Sequence, residues 1–387
     1  MNETIYLDNS ATTVPSEASL QKMGEALRIC FANPGSVHEA GLQAQELLEE
    51  ARRQVASSLG VRRATEGQII FTSGGTEANN LAILGSVFAK ARPSRGKILI
   101  TDGEHPSVAQ VAAKLADEGF VVSCIPTVGG ALDLDALEAA ANGDVLLAAI
   151  MLVNNETGAL YPIKEAVELL RRKSPGAVIH CDAVQGYLRT PFAVSSLGVD
   201  TLSVSAHKIH APKGAGALYV SRNLLQRRRI APILYGGGQE GGLRSGTENV
   251  PAIAAFGAAA AEGMAAAEER RAQVAHLREY LLARLPAAVQ VNTPARHVDA
   301  IVSITLPDVK SEVMLRALSA RKIYVSAGSA CAARSGKVSS TLLAYGLSGR
   351  QADCTLRISL SHRNTEAELD RFAAALAEEI GRLARIR

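Results

Sequence analysis

Lys208 stands in "SVSAHKIHAPKG", residues 203–214, between His207 and a turn containing proline and glycine. The run before it, "TLSVSA" at 201–206, reads as a strand, so the amine is delivered at a strand end. A lysine there is usually just solvated, but with suitable neighbours it can form an imine with a carbonyl carbon. Three other motifs offer such neighbours. "FTSGGTEANN" (71–80) ends a strand at Gly74-Gly75 and opens a helix at Thr76. Its free N–H groups and the positive end of the helix dipole suit a phosphate, a plain tight turn being the alternative. "HCDAVQG" (180–186) brings Asp182 to another strand end, with Gln185 three residues on. A carboxylate so placed can pair with a cationic ring nitrogen or cap the next segment. "GEHPSV" (103–108) sets His105 before a helix whose first position is Pro106, where a histidine is often structural.

Each signal alone is weak; together they form a set. A lysine for an imine, a phosphate cradle, a carboxylate for a pyridinium and an imidazole are what pyridoxal 5'-phosphate asks of a protein. Nicotinamide binding is the competing use of glycine turns in an α/β chain. It fails because no G-x-G-x-x-G stands at a strand–helix junction with an acid about 20 residues on. One nucleophile is left over. "SAGSACAARSG" (326–336) places Cys331 among small residues that cannot wall a thiol into an apolar core.

The elements that must carry these groups alternate through the first two-thirds of the chain. Apolar runs at 68–72, 97–101, 121–125, 145–151, 177–182, 201–206 and 216–220 read as strands, with helical patterns at 76–90, 106–118, 135–141 and 163–173. Near-continuous apolar strands separated by helices predict a parallel sheet covered on both faces, with ligands outside the carboxyl ends of its strands. From about residue 250 a long alanine-rich helix is expected to run to about 285, followed by strands at 300–306 and 356–361. A last helix should start at a capping box formed by Thr365 and Glu368. These changes divide the chain into a large α/β domain over 15–255 and a small α+β domain made of 1–14 and 256–387.

Composition sets outer bounds. A 387-residue chain with 47% hydrophobic and 20% charged residues is that of an ordinary globular protein. A net charge of +3 gives no ground for nucleic-acid or membrane binding, and "QRRR" (226–229) reads as a solvated face. Cys30, Cys124, Cys181, Cys331 and Cys354 are scattered, which argues against disulfides and against a metal site. No secretory leader is visible in "MNETIYLDNSATT", so a reducing cytoplasm is expected.

"YLDNSATT", "FTSGGTEANN", "EHPSV", "VNNETG", "DAVQG", "SAHKIHAPKGAGALY", "GGGQEGGLRSGTENV" and "SAGSACAARSG" resemble, in order, the motifs of the cysteine desulfurases, in the class V aminotransferase group of pyridoxal-phosphate enzymes. The likeness runs from about residue 5 to 365, and the "GSAC" form resembles the branch with a mobile cysteine loop. It implies fold type I: a mostly parallel, seven-stranded central sheet with helices on both faces, plus the smaller α+β domain. Lys208 would hold the cofactor and shuttle the α-proton of the substrate. Gly75, Thr76, Ser205 and His207 would bind the cofactor phosphate, and Thr247 would reach that of a partner subunit, implying a homodimer. Asp182 would pair with the ring nitrogen, and His105 would stack on the ring and count among the catalytic groups. Asn155 and Gln185 would contact the ring hydroxyl, Asn155 also lying at the substrate. Arg357 would hold the substrate carboxylate as a two-pronged donor.

By the same resemblance Cys331, as a thiolate, would attack the sulfur of L-cysteine, giving an enzyme persulfide and L-alanine. The sulfur would pass to acceptor proteins of iron–sulfur assembly, tRNA thiolation or cofactor synthesis. Four positions depart from the family pattern: Ser10 for alanine, Tyr161 for glutamine, Ala211 for glycine, and Ser339-Ser340 where Ser-His is frequent. None removes a group the chemistry needs. A selenocysteine lyase or other β-elimination enzyme would keep most of the same residues, and a catalytically silent sulfur-assembly scaffold would keep the fold alone.

Overall fold

The computed structural model describes residues 4–63, 65–89, 96–328 and 338–384. Its strands are β1 (Ile5–Tyr6), β2 (Gly67–Thr72), β3 (Lys97–Thr101), β4 (Val121–Ile125), β5 (Val145–Met151) and β6 (Val178–Asp182). They continue with β7 (Thr201–Ser205), β8 (Gly216–Ser221), β9 (Gln290–Val291), β10 (Ile301–Thr305), β11 (Ile323–Tyr324) and β12 (Thr355–Ser359). Seven form one sheet in the order β2-β8-β7-β6-β5-β3-β4. Only β8 runs antiparallel to its neighbours, β2 and β7; every other pair is parallel. This is the mostly parallel seven-stranded sheet that the family resemblance implies, and each strand lies within about two residues of the apolar run that announced it.

The period of two along these strands divides the core. Ala148, Ile150, Ile179 and Leu202 face one layer, while Leu147, Ala149, Val178 and Leu218 face the other. Because helices cover both layers, all seven residues of β5 are buried, which is why its sequence shows no polar alternation.

A third apolar cluster lies apart from this sheet. It joins Ile5 and Leu7 to Leu277, Leu281, Val302, Ile304, Leu356, Ile358 and Phe372. The antiparallel sheet β12-β10-β9 and the pair β1-β11 supply its strands. Its last helix, Glu366–Ala384, opens as the sequence predicts. The Thr365 N–H donates to Glu368 Oε2 at 3.0 Å and the Glu368 N–H to Thr365 Oγ1 at 3.3 Å.

The expected single helix to about 285 is instead two, Val250–Ala265 and Ala267–Leu282, bent by 74°. The first packs on helices Glu17–Arg28 and Glu39–Ser58; the second packs on Glu366–Ala384. One alanine-rich segment thus serves two cores, and Glu268 and Glu269 suit the start of the second helix. No single helix among the described residues is long and apolar enough to cross a membrane.

Candidate active site

A cleft of about 940 Å³, its open mouth included, lies beyond the carboxyl ends of β5, β6 and β7. Ten of the residues singled out in the sequence line it: Gly75, Thr76, His105, Asn155, Asp182, Gln185, Ser205, His207, Lys208 and Arg357. Thr247 is not among them; it is exposed on the turn before helix Val250–Ala265. Cys331 lies outside the described residues.

Strand β7 ends at Ser205, and a tight turn over Ala206–Lys208 lifts the amine into the cleft. Lys208 Nζ donates to the carbonyls of Ser10 at 2.5 Å and Ala11 at 2.7 Å. Burial, then the nearby Arg189 and Arg357 guanidinium groups, push its pKa down to about 7. Neither carbonyl carries a full charge to hold the ammonium form, so near neutrality much of the amine is free to act as a nucleophile or base.

Helix Gly75–Val87 starts against the same space. Gly74 precedes it in extended geometry, and no side chain among the described residues caps its first N–H groups, which leaves a cradle suited to an anion. Glycine is needed there sterically. A Cβ at Gly75 would lie 2.8 Å from Val184 Cγ2, and one at Gly216 would lie 2.6 Å from the Gly74 backbone. Ser205 and His207 border the cradle. Burial, then Lys208, push His207 down to about 4, so its ring is neutral.

Asp182 ends β6 and is buried. Its Oδ2 accepts from Asn79 Nδ2 at 2.7 Å, and its Oδ1 from the Val184 N–H at 3.0 Å. Asn79 Oδ1 in turn faces His180 Nε2 at 3.0 Å and accepts from Ser203 Oγ at 2.5 Å. Burial pushes His180 down to about 4, so this chain of groups holds the carboxylate without adding a charge. His105 caps helix Pro106–Asp117: its Nδ1 accepts from the Ser107 N–H at 3.1 Å. That fixes the neutral ring proton on Nε2, and burial lowers the affinity for a second.

Arg357 sits mid-strand in β12, only 3% exposed. Its Nη1 donates to the Asn155 carbonyl at 2.9 Å and its Nη2 to Asp8 Oδ1 at 2.8 Å, while the buried Nε has no partner among the described residues. A buried guanidinium with a donor to spare suits a carboxylate ligand.

Asp8, Asn79, His180 and Arg189 escaped the sequence reading. The signal for two of them is there: Asn79 and His180 are polar residues inside otherwise apolar stretches, "EANNLAIL" and "AVIHCD". The departures are built in without strain at the chemistry. The Ser10 N–H donates to Ser359 Oγ at 2.9 Å, Ala211 and Tyr161 are buried, and Ser340 is exposed at the first position of helix Ser340–Tyr345, which Ser339 caps while its Oγ donates to Glu156 Oε2 at 2.6 Å.

Residues 5–372 match the family model "Aminotransferase class-V". A protein of Trichormus azollae named "Cysteine desulfurase" is 38% identical over 384 residues, which cover 98% of this chain and 93% of that one. "Cysteine desulfurase IscS" of Methanosarcina thermophila is 36% identical, covering 99% of this chain and 93% of its own. The solved structure titled "NIFS-LIKE PROTEIN" superposes with a TM-score of 0.90 at 33% identity, covering 98% of this chain and 100% of that one.

Proposed function

Because the chain belongs to the aminotransferase class V family, among its cysteine desulfurases, we propose that it takes the sulfur of L-cysteine with pyridoxal 5'-phosphate as cofactor. The observation that carries this reading is one cleft holding Lys208 with its lowered proton affinity, the buried Asp182, an uncapped helix N-terminus and Arg357. That donor set fits the cofactor: Gly75, Thr76, Ser205 and His207 for its phosphate, Asp182 for its ring nitrogen, Asn155 and Gln185 for its ring hydroxyl, and Lys208 for its aldehyde carbon. When bound, it supplies an electron sink that makes the α-proton of an attached amino acid removable.

The chain's own residues do the rest. Arg357 orients the substrate carboxylate, and the neutral ring of His105 borders the cofactor space. Lys208 Nζ takes the α-proton, which its low proton affinity allows near pH 7. The thiolate of Cys331 attacks the substrate sulfur. The carbon–sulfur bond breaks with its electron pair left on carbon, that carbon takes a proton to give alanine, and the sulfur stays on Cys331 as a persulfide. An acceptor protein then removes it. Thr247, exposed and away from its own cleft, is in keeping with a role at the cleft of a second copy in a homodimer.

The test is incubation with L-cysteine and a reductant, measuring alanine and sulfide together. Equal amounts of both, lost in Lys208→Ala and in Cys331→Ser, are expected. Pyruvate in place of alanine would point to elimination, and full sulfide release by Cys331→Ser would remove that thiol from the mechanism.

A further inference from the structure

Arg189 follows β6 by seven residues and has no ion-pair partner among the described residues. Burial, then the neighbouring Arg357, push it down to about 10, which still leaves it charged at neutral pH. A half-buried cation without a counter-ion is still costly, so something must be gained by keeping it.

Its hydrogen bonds show what it holds. Nη1 donates to Gln185 Oε1 at 2.5 Å and to Ser10 Oγ at 3.2 Å, and Nη2 donates to the Asn9 carbonyl at 2.9 Å. Gln185 Nε2 donates to the Ser10 carbonyl at 2.9 Å, the same oxygen that receives Lys208 Nζ. One guanidinium therefore fixes both the side chain beside the lysine and the turn that accepts its amine.

The backbone is bent to put it there. Leu188, immediately before, has φ of +60°, a left-handed conformation that L-residues with bulky side chains seldom take. Its side chain fills the space left by Gly263, where a Cβ would meet Leu188 Cδ1 at 2.6 Å. Strain of this kind persists only where surrounding contacts enforce it.

We infer that Arg189 is a positioning residue for Lys208: it locks the Asn9–Ala11 turn and Gln185 around the amine and supplies the positive charge that opposes its protonation. The other groups facing Lys208 are Arg357, on the same side of the balance, Asp8 and Asp182, which favour the ammonium, and His105 and His207, both neutral rings. Asp8 is already paired with Arg357, and Asp182 with Asn79, so Arg189 is the unpaired cation of the group. The inference rests on Lys208 being the reactive amine.

The test reads the amine directly. The full chain without cofactor is treated with limiting acetic anhydride across pH 6 to 11, and acetylation of Lys208 is followed by mass spectrometry of its peptide. In Arg189→Gln the midpoint should rise by roughly one pH unit, the usual scale for removing a like charge nearby. Arg189→Lys should leave it close to the parent value. Arg189→Met is the second neutral variant, should the glutamine variant fail to fold by its melting curve. A midpoint unmoved in a folded neutral variant, or moved equally in Arg189→Lys, overturns the inference. The readout involves no sulfur chemistry, so it stands apart from the desulfurase assay.

Discussion

The role proposed for Lys208 needs an amine that is unprotonated at the right moment, and the cleft favours this by subtraction. It offers the Nζ two carbonyl oxygens in place of a carboxylate and sets Arg189 and Arg357 nearby, outweighing Asp8 and Asp182. Lys208→Ala should lower turnover by at least about a hundredfold, the ordinary scale for losing a positioned acid–base group, measured as alanine formed. At Arg357, geometry matters as much as charge. Arg357→Lys keeps the cation but loses the planar fork that spans Asn155 and Asp8, so KM for L-cysteine should rise roughly tenfold with a smaller change in kcat. An unchanged KM would move the carboxylate site elsewhere. Most of these groups were legible because they sit at strand ends, where short motifs announce them. Asp8 and Arg189 were not, since their meaning lies in what they touch: Asp8 is 349 residues from Arg357.

At the scale of elements, the site is a junction between strand ends and one helix start. Gly75→Ala should weaken retention of pyridoxal phosphate by about tenfold, since the new methyl group must displace Val184, an overpacking cost of roughly 1–3 kcal/mol. Dialysis followed by absorbance of the retained cofactor reads this, and loss of fold is checked by circular dichroism. The same helix carries Asn79 into the core to meet Asp182 and His180. Strands were easy to place because burial on both faces makes them plain apolar runs. The bend at Ala266 was hidden because an alanine-rich stretch reads the same whether straight or broken; tertiary packing against two cores decides it.

Across the whole molecule, buried titratable groups should shape stability against pH. Burial holds His180, His207, His210 and His362 at about 4. A free imidazole lies near 6.5, so in that interval the unfolded chain binds more protons and stability falls as pH drops from about 6.5 towards 4. Glu104 works in the opposite sense. Burial pushes it up to about 8, so the fold keeps a proton that the unfolded chain releases above about 4.3, and stability falls as pH rises towards 8. Urea midpoints should therefore drop below pH 6. Glu104→Gln, which needs no proton, should gain on the parent chain steadily between pH 5 and 8; a constant difference would show that Glu104 is ionised in the fold.

The turn that receives the lysine has one more consequence. Residues 5–11 are synthesised before the central sheet, yet β1 pairs with β11, the Asp8 region bridges to Ser359, and Asn9 Nδ2 donates to the Ser359 carbonyl 350 residues later. The central sheet can form while synthesis continues, and Arg189 and Gln185 can already hold the turn, but its anchors on Ser359 wait for β12 to emerge. A nascent chain arrested before β12 should thus carry a folded sheet and a lysine site that still lacks Arg357 and the Ser359 anchors, so that the site is completed only once β12 has emerged.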